Sequence, residues 1–276
     1  MDTSDPRVAS STRPAGTAAF SKFVHLLQLV ADSEQPCSIA ELARRSGYPQ
    51  ATVYRTVAGL VAERMLALSL TGKSYVLGPR LMELASRSWD QSELRRLALA
   101  DLQALRDATG ETVHLAVPDG RSMVYIEKLE SPSTVRMASS IGASVSMHSS
   151  AVGKAYLAAL DEDASARLLS QLQFHRNTVH TVRSAPALLK KLQEIRACGW
   201  AQDDEENEPG ICCFGAAIVD AEGHPVAAIS VSTLRFRQSP DPGQAYVAPL
   251  KAASAAISRR VAQMPATSRG NRQDRP

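Results

Sequence analysis

Residues 38–77 constrain the fold of this chain more than any other stretch. Ser38-Ile-Ala-Glu41 is a capping box. A Ser at the N-cap and a Glu three residues on satisfy free amides of a first turn, so a helix starts there and runs to about Ser46. Gly47 supplies a turn. Pro49 suits the first position of a third helix, where its missing N–H has no partner in any case. MLALSL and SYVLG alternate apolar and polar around Thr71-Gly72-Lys73, which predicts a β-hairpin. Upstream, Phe20, Phe23, Val24, Leu27, Val30 and Ala31 repeat at i, i+3, i+4 and i+7, one apolar stripe of a helix that Pro36 ends. Helix, helix, short turn, helix, hairpin is the order of a winged helix-turn-helix.

The third helix carries the chemistry. On a wheel at about 100° per residue, Val53, Val57, Leu60 and Val61 share one side and face a core. Almost opposite lie Ala51, Arg55, Gly59 and Ala62, with Thr52 and Ala58 on the flanks. A helix that only needed to be soluble would carry Glu and Lys there. A helix that lies in a major groove needs small residues at close approach and one long cation to reach a guanine edge or a phosphate. Gln50, Ala51, Thr52, Tyr54 and Arg55 are therefore the candidate DNA contacts, since the N-terminal part of such helices meets the bases. Arg44 on the preceding helix and Lys73 at the hairpin tip are candidates for the backbone or the minor groove.

Charge is segregated along the chain. The net charge is only +3, but Arg44, Arg45, Arg55, Arg64, Lys73 and Arg80 cluster early, while residues 203–208 read DDEENE. Cys37, Cys198, Cys212 and Cys213 have no C-x-x-C spacing, which points to a reducing cytoplasm and to thiols rather than disulfides. The N-terminus lacks the apolar core of a signal peptide, and no run reaches the roughly 18 apolar residues that span a bilayer. The six histidines lack metal-ligand spacing, so neither a metal nor a cofactor is expected.

From residue 79 the pattern changes. Pro79 opens a helical stretch that breaks near Asp90 and ends at Gly110. Strands then dominate: ETVHLAV and SMVYIEKLE around Asp119-Gly120, then VRMASS, WAQDD, CCFGAAIVD and PVAAISVS. Helices are expected from Ser150 through GKAYLAAL, from Ser184 to Gly199, and over 243–264. Hairpin-joined strands with helices to the side give an α+β domain around an antiparallel sheet.

SIAELARRSGYPQATVYRTVAGLVAERML and YVLGPRLMELA resemble the DNA-binding half of the IclR family of bacterial transcriptional regulators. VRMASSIG, AVGKAYLA, GWAQDDEENEPGICC and AAISVS resemble its second half, so the likeness covers about residues 18–262. The resemblance implies a winged-helix domain over 18–79, a linker helix over 80–97 and a GAF-like effector-binding domain over 98–265; the composition of the termini, rich in Ser, Thr, Pro and small residues at the first, predicts disorder over 1–17 and 266–276. It also implies dimers or tetramers that bind pseudo-palindromic operators. A small organic acid, such as a sugar acid or an aromatic acid, would modulate DNA binding or contact with RNA polymerase. Repression is the expected outcome, of a catabolic operon.

Carried over by resemblance, the effector pocket falls on Met137, Val145, Ala151, Val152, Asp203, Ile211, Cys213, Ser230 and Ser232. The chemistry of these residues is coherent. Ser230 and Ser232 lie two apart on a strand and share a face. Ala151 and Val152 open a helix whose free N–H groups can hold a carboxylate. Asp203 can accept a ligand hydroxyl, and the apolar residues form walls. The family commonly has Arg where Cys212 stands and Pro where Ser146 stands, both near the expected ligand. STLRF and YIEKLES lean toward the branch that senses 2-keto-3-deoxygluconate.

An enzyme lacks its motifs here: no G-x-S-x-G, no H-E-x-x-H and no G-x-x-x-x-G-K-[ST] occurs. The remaining alternative is a GAF-like sensor acting through protein contacts alone.

Overall fold

The computed structural model describes residues 17–264, and the disorder expected over 1–17 and 266–276 lies outside them, Thr17 apart. The chain divides into two compact units between Gln91 and Ser92.

The first unit runs α1 (Ala18–Ala31), α2 (Ile39–Ser46), α3 (Gln50–Ala62), β1 (Leu66–Leu68), β2 (Tyr75–Leu77) and α4 (Pro79–Gln91). The Ser38 hydroxyl accepts from the Glu41 amide, as the capping box requires. Leu26, Val30, Leu42, Val53, Val57, Leu60 and Leu66 close one small core. Backbone bonds in both directions between Cys37 and Tyr75, 3.0 and 2.8 Å, tie the hairpin to the segment between α1 and α2. The wing is thus fixed at its base by backbone and by Leu66.

The second unit begins with α5 (Glu93–Thr109), whose Ser92 N-cap accepts from the Arg95 amide. The helix break expected near Asp90 falls at this cap. Six strands follow: β3 (Thr112–Asp119), β4 (Ser122–Leu129), β5 (Ser144–Ser146), β6 (Ala201–Asp204), β7 (Ile211–Val219) and β8 (Pro225–Leu234). They form one antiparallel sheet in the order β5-β4-β3-β8-β7-β6. α5 and α9 (Ala248–Ala262) cover one face through Leu102, Leu105, Phe214, Ile229 and Ile257. α6 (Ala151–Ala159), α7 (Glu162–Gln171) and α8 (Ala185–Cys198) lie on the other, around Met147, Val152, Leu157, Leu188 and Leu192.

Two expectations are corrected and one helix is added. VRMASS is a loop, not a strand. The sheet edge beside β4 is taken by β5, and the Lys128 ammonium donates to the Met137 and Ser139 carbonyls at 2.8 and 2.6 Å, where a strand would offer them to a ladder. α7 was not anticipated, although Asp161 caps it through the Ala164 amide. The last helix is α-helical only from Ala248, after a π-helical turn over Gly243–Val247.

Candidate functional site

The outward side of α3 is close to the one read from its spacing. Val53 and Val57 are buried, while Gln50, Ala51, Tyr54, Arg55, Ala58 and Ala62 are exposed and Thr52 is half-buried. Gly59 is the exception. A Cβ there would meet the Phe23 ring at 3.0 Å, so its smallness serves the packing of α1 on α3 and not an approach from outside. The basic residues also separate. Arg64 pairs with Glu83, Arg80 with Glu63, and Arg45 turns to Ser33 and Cys37. Arg44, Arg55 and Lys73 are exposed and form no ion pair among the described residues. The structure thus leaves the three cations named as DNA contacts without an ion pair among the described residues.

In the second unit a cavity of about 450 Å³ opens on the sheet face that carries α6. Met137, Val145, Ala151, Val152, Asp203, Ile211, Cys213, Ser230 and Ser232 all line it. Strand register explains the gathering. Asp203 pairs with Cys213 and Cys213 with Ser232 in one row across the sheet; Gly215, Ser230 and His114 form the next. Alternate residues share a face, so both rows look the same way. α6 lies directly above, because a Cβ on Gly215 would meet the Ala151 carbonyl at 2.5 Å. Ser150 caps α6 by accepting from the Gly153 amide at 3.1 Å. The Ala151 and Val152 amides, at the open end of the helix, have no intrahelical acceptor.

Cys212 does not line the cavity and corrects the sequence reading. It alternates to the other face of β7, where its thiol contacts the Asp204 carboxylate at 3.3 Å and Arg235 at 3.5 Å. Burial pushes that thiol up to about 11. Both adjacent cysteines are free thiols. Ser146, the other departure from the family pattern, does line the cavity.

The lining also holds His114, Tyr125, Ser139, Asn177, Asn207 and Glu208, which sequence reasoning missed. A signal existed for His114: a polar residue inside the apolar run ETVHLAV marks a face that is not pure core. Its ring bonds to the Ser139 hydroxyl at 2.8 Å and stacks on Tyr125 at 4.4 Å between centroids. Burial, then the Lys128 charge, lowers its pKa to about 3, so the ring is neutral at pH 7. Burial raises Asp203 to about 7, against the opposing pull of Lys154 and of two backbone amides. Those amides, of Glu206 and Asn207, donate to its Oδ1 at 2.8 and 3.1 Å. Burial and the Asp203 charge push the Cys213 thiol well above its usual range. Among the described residues, no Arg or Lys lines the cavity.

Behind this wall lies a fully buried lysine. Lys154 donates to Glu206 Oε1 at 2.6 Å, and the half-exposed Lys191 reaches the same oxygen at 2.9 Å. Burial lowers the Lys154 pKa, partly offset by Glu206. Lys154 is thus an internal brace. The DDEENE run is likewise not all solvated, since Asp203 and Glu206 are both buried. The Asn207 side chain accepts from Ser149 at 2.9 Å, closing the loop onto the residue before the α6 cap.

A helix-turn-helix with a hairpin wing, followed by a sheet domain built around a small-molecule cavity, defines a ligand-sensing DNA-binding protein. Residues 20–68 match the IclR helix-turn-helix domain, and residues 87–259 match the bacterial transcriptional regulator IclR C-terminal domain. The chain belongs to the IclR family of bacterial transcriptional regulators, which pairs a DNA-binding domain with an effector-binding one. It is 34% identical over 246 residues to the HTH-type transcriptional regulator KdgR of Dickeya chrysanthemi, across 89% of this chain and 80% of that one. It is 29% identical over 229 residues to the transcriptional repressor IclR of Escherichia coli, across 82% and 84% of the two chains. The crystal structure of the Thermotoga maritima IclR superposes with a TM-score of 0.69 at 30% identity, covering 88% of this chain and 98% of that one. No helix among the described residues is long and apolar enough to cross a membrane.

Proposed function

We propose that this protein represses a catabolic operon from a pseudo-palindromic operator, as a dimer or a dimer of dimers, and that a small hydroxylated carboxylate relieves or tunes that repression. α3 reads the major groove through Gln50, Ala51, Thr52, Tyr54 and Arg55, while Arg44 and Lys73 meet the backbone. The effector carboxylate rests on the Ala151 and Val152 amides and on the Ser230 and Ser232 hydroxyls. Asp203 takes a ligand hydroxyl at the other end.

The observation that carries this reading is the composition of the cavity. Among the described residues it has helix-end amides and hydroxyls but no cation, so a carboxylate there is met by neutral donors. Ser139, Ser144, Ser146, Asn177 and Asn207 give it more hydrogen-bonding groups than a flat aromatic acid can use. This favours a sugar acid, in line with the likeness of STLRF and YIEKLES to the 2-keto-3-deoxygluconate-sensing branch. The same cavity serves binding without chemistry, and regulation of DNA in the cytoplasm needs no cofactor.

Isothermal titration of 2-keto-3-deoxy sugar acids, simple 2-keto acids and aromatic acids, each followed by a gel shift on an operator selected from random DNA, tests the reading. A sugar acid is expected to bind in the micromolar range and to change operator affinity. Exclusive binding of an aromatic acid would overturn the assignment of effector class.

A further inference from the structure

We infer that Leu70, at the tip of the wing, is an apolar wedge that enters the DNA minor groove beside Lys73 and bends the duplex. The inference rests on the reading of α3 and the hairpin as the DNA-contacting elements and adds a role that reading does not need.

Alternation along the first strand sets the geometry. Leu66 is 1% exposed and sits in the core of the unit, Leu68 is 54% exposed, and Leu70 is fully exposed. Exposure thus rises along β1, which ends at Leu68, and is complete at Leu70 in the turn that follows. A single exposed leucine on a surface ordinarily asks for no explanation. This one stands on a turn that does not use it. The Ser69 amide donates to the Ser74 carbonyl at 2.8 Å and the Gly72 amide to the Ser69 carbonyl at 2.9 Å. The Ser69 hydroxyl bonds to Thr71 at 2.9 Å and to Ser74 at 2.8 Å. These bonds hold the turn together, and none involves the Leu70 side chain, which is fully exposed.

The surroundings select the occupant. Lys73 lies three residues on, exposed and without an ion pair among the described residues, on a unit whose other unpaired cations include Arg44 and Arg55. Leu70, with the part-exposed Leu68 and Leu77 of the same hairpin, still makes too small a patch for a protein partner, which needs about 800 Å² on each side. It matches the minor groove, where apolar side chains part a base step while nearby cations hold the phosphates. A wedge also predicts readout without base contacts, because pyrimidine–purine steps unstack more easily than others.

The test uses the full chain and an operator selected by it from random DNA, with Kd by fluorescence anisotropy and bend angle by energy transfer between labelled DNA ends. Leu70→Ser should lower affinity by about tenfold and reduce the bend, with thermal stability and salt slope unchanged. Leu70→Met, which keeps an apolar wedge, should stay within about threefold of wild type. Lys73→Ala should do the reverse: keep the bend and lower the slope of log K against log salt by about one. Replacing the flexible step under the wing by an A-tract should weaken wild type more than Leu70→Ser. Equal affinity and equal bend for Leu70→Ser and wild type would overturn the wedge while leaving the DNA-binding reading intact. Failure of wild type to select any operator would overturn both.

Discussion

The two units handle charge in opposite ways. In the N-terminal unit Arg44, Arg55 and Lys73 stand exposed with no ion pair among the described residues, around a helix face of alanines. In the C-terminal unit charge goes inward: Lys154 with Glu206, Arg95 with Glu127 and Arg237 with Glu111 all involve a buried carboxylate. Among the described residues, the cavity between sheet and α6 is left without a cation. An uncompensated surface cation contributes nothing to folding and is available to a polyanion. A compensated buried one braces a wall whose polar atoms then face a small neutral or singly charged ligand. Substitutions in the first set should therefore change binding and spare stability, and those in the second should do the converse.

The sharpest test of that contrast, and the largest expected effect, is Glu206→Gln. It leaves Lys154 buried without its carboxylate, and breaking a buried pair from one side typically costs about 3–5 kcal/mol. Urea denaturation of the C-terminal unit should show that loss. The double change Lys154→Met with Glu206→Met should recover most of it, because a buried pair adds little over well-packed apolar groups. A loss below about 1 kcal/mol for the single change would mean water reaches the pair, and the brace would have to be abandoned.

Arg55→Ala is the counterpart in the other unit. Arg55 points away from Val53 and Val57, so its removal opens no cavity and thermal stability should hold. Operator affinity should fall by about 1–3 kcal/mol per half-site, read by gel shift. Binding within about twofold of wild type would place the groove-facing side elsewhere on α3.

Where sequence was legible and where it was not follows the same division between local and distant. Helix starts at Ser38, Ser150 and Ser184 and the stop at Gly199 were readable, because a cap acts within three or four residues of itself. The lining positions of the cavity came from resemblance. Their gathering depends on strand register and on the seat of α6 over Gly215, neither of which local pattern specifies. Tyr125 went unnoticed for that reason, whereas His114 had a local signal in its place inside ETVHLAV. The Lys154–Glu206 pair, which spans 52 residues of sequence, went unnoticed as Tyr125 did. Gly59 was misread because a helical wheel shows which residues leave the core of one helix but not what the neighbouring helix, here through Phe23, lays over them.

Ser230→Ala tests the cavity without touching the brace. Ser230 lines the cavity on a central strand, and its hydroxyl is one of the neutral donors proposed for the carboxylate. Losing one hydrogen bond to a charged group should weaken effector binding by about 1.5–3 kcal/mol in calorimetry. DNA binding without effector should not change. Equal effector affinity in the variant would move the carboxylate away from β8.

The smallest effect expected in the wild-type chain is the pH dependence that His114 and Asp203 produce together, because they act in opposite directions. Burial raises Asp203 from 3.8 to about 7, so the folded state keeps a proton that the unfolded chain releases. Its contribution to stability is full below pH 3.8 and is lost as pH rises toward 7. Burial and the Lys128 charge lower His114 from 6.5 to about 3, so the folded state lacks a proton that the unfolded chain takes up. That contribution is full above pH 6.5 and is lost as pH falls toward 3. Between 3.8 and 6.5 one group binds a proton more in the folded state and the other a proton fewer, and their slopes cancel. Asp203→Asn should uncover the His114 slope, a gain of up to about 1.4 kcal/mol per pH unit relative to wild type as pH rises. His114→Gln should uncover the opposite slope. Denaturation midpoints at four pH values in this window decide it. Three parallel profiles would show that neither group titrates differently on folding, and that the C-terminal unit hides less of its charge than the contrast with the N-terminal unit requires.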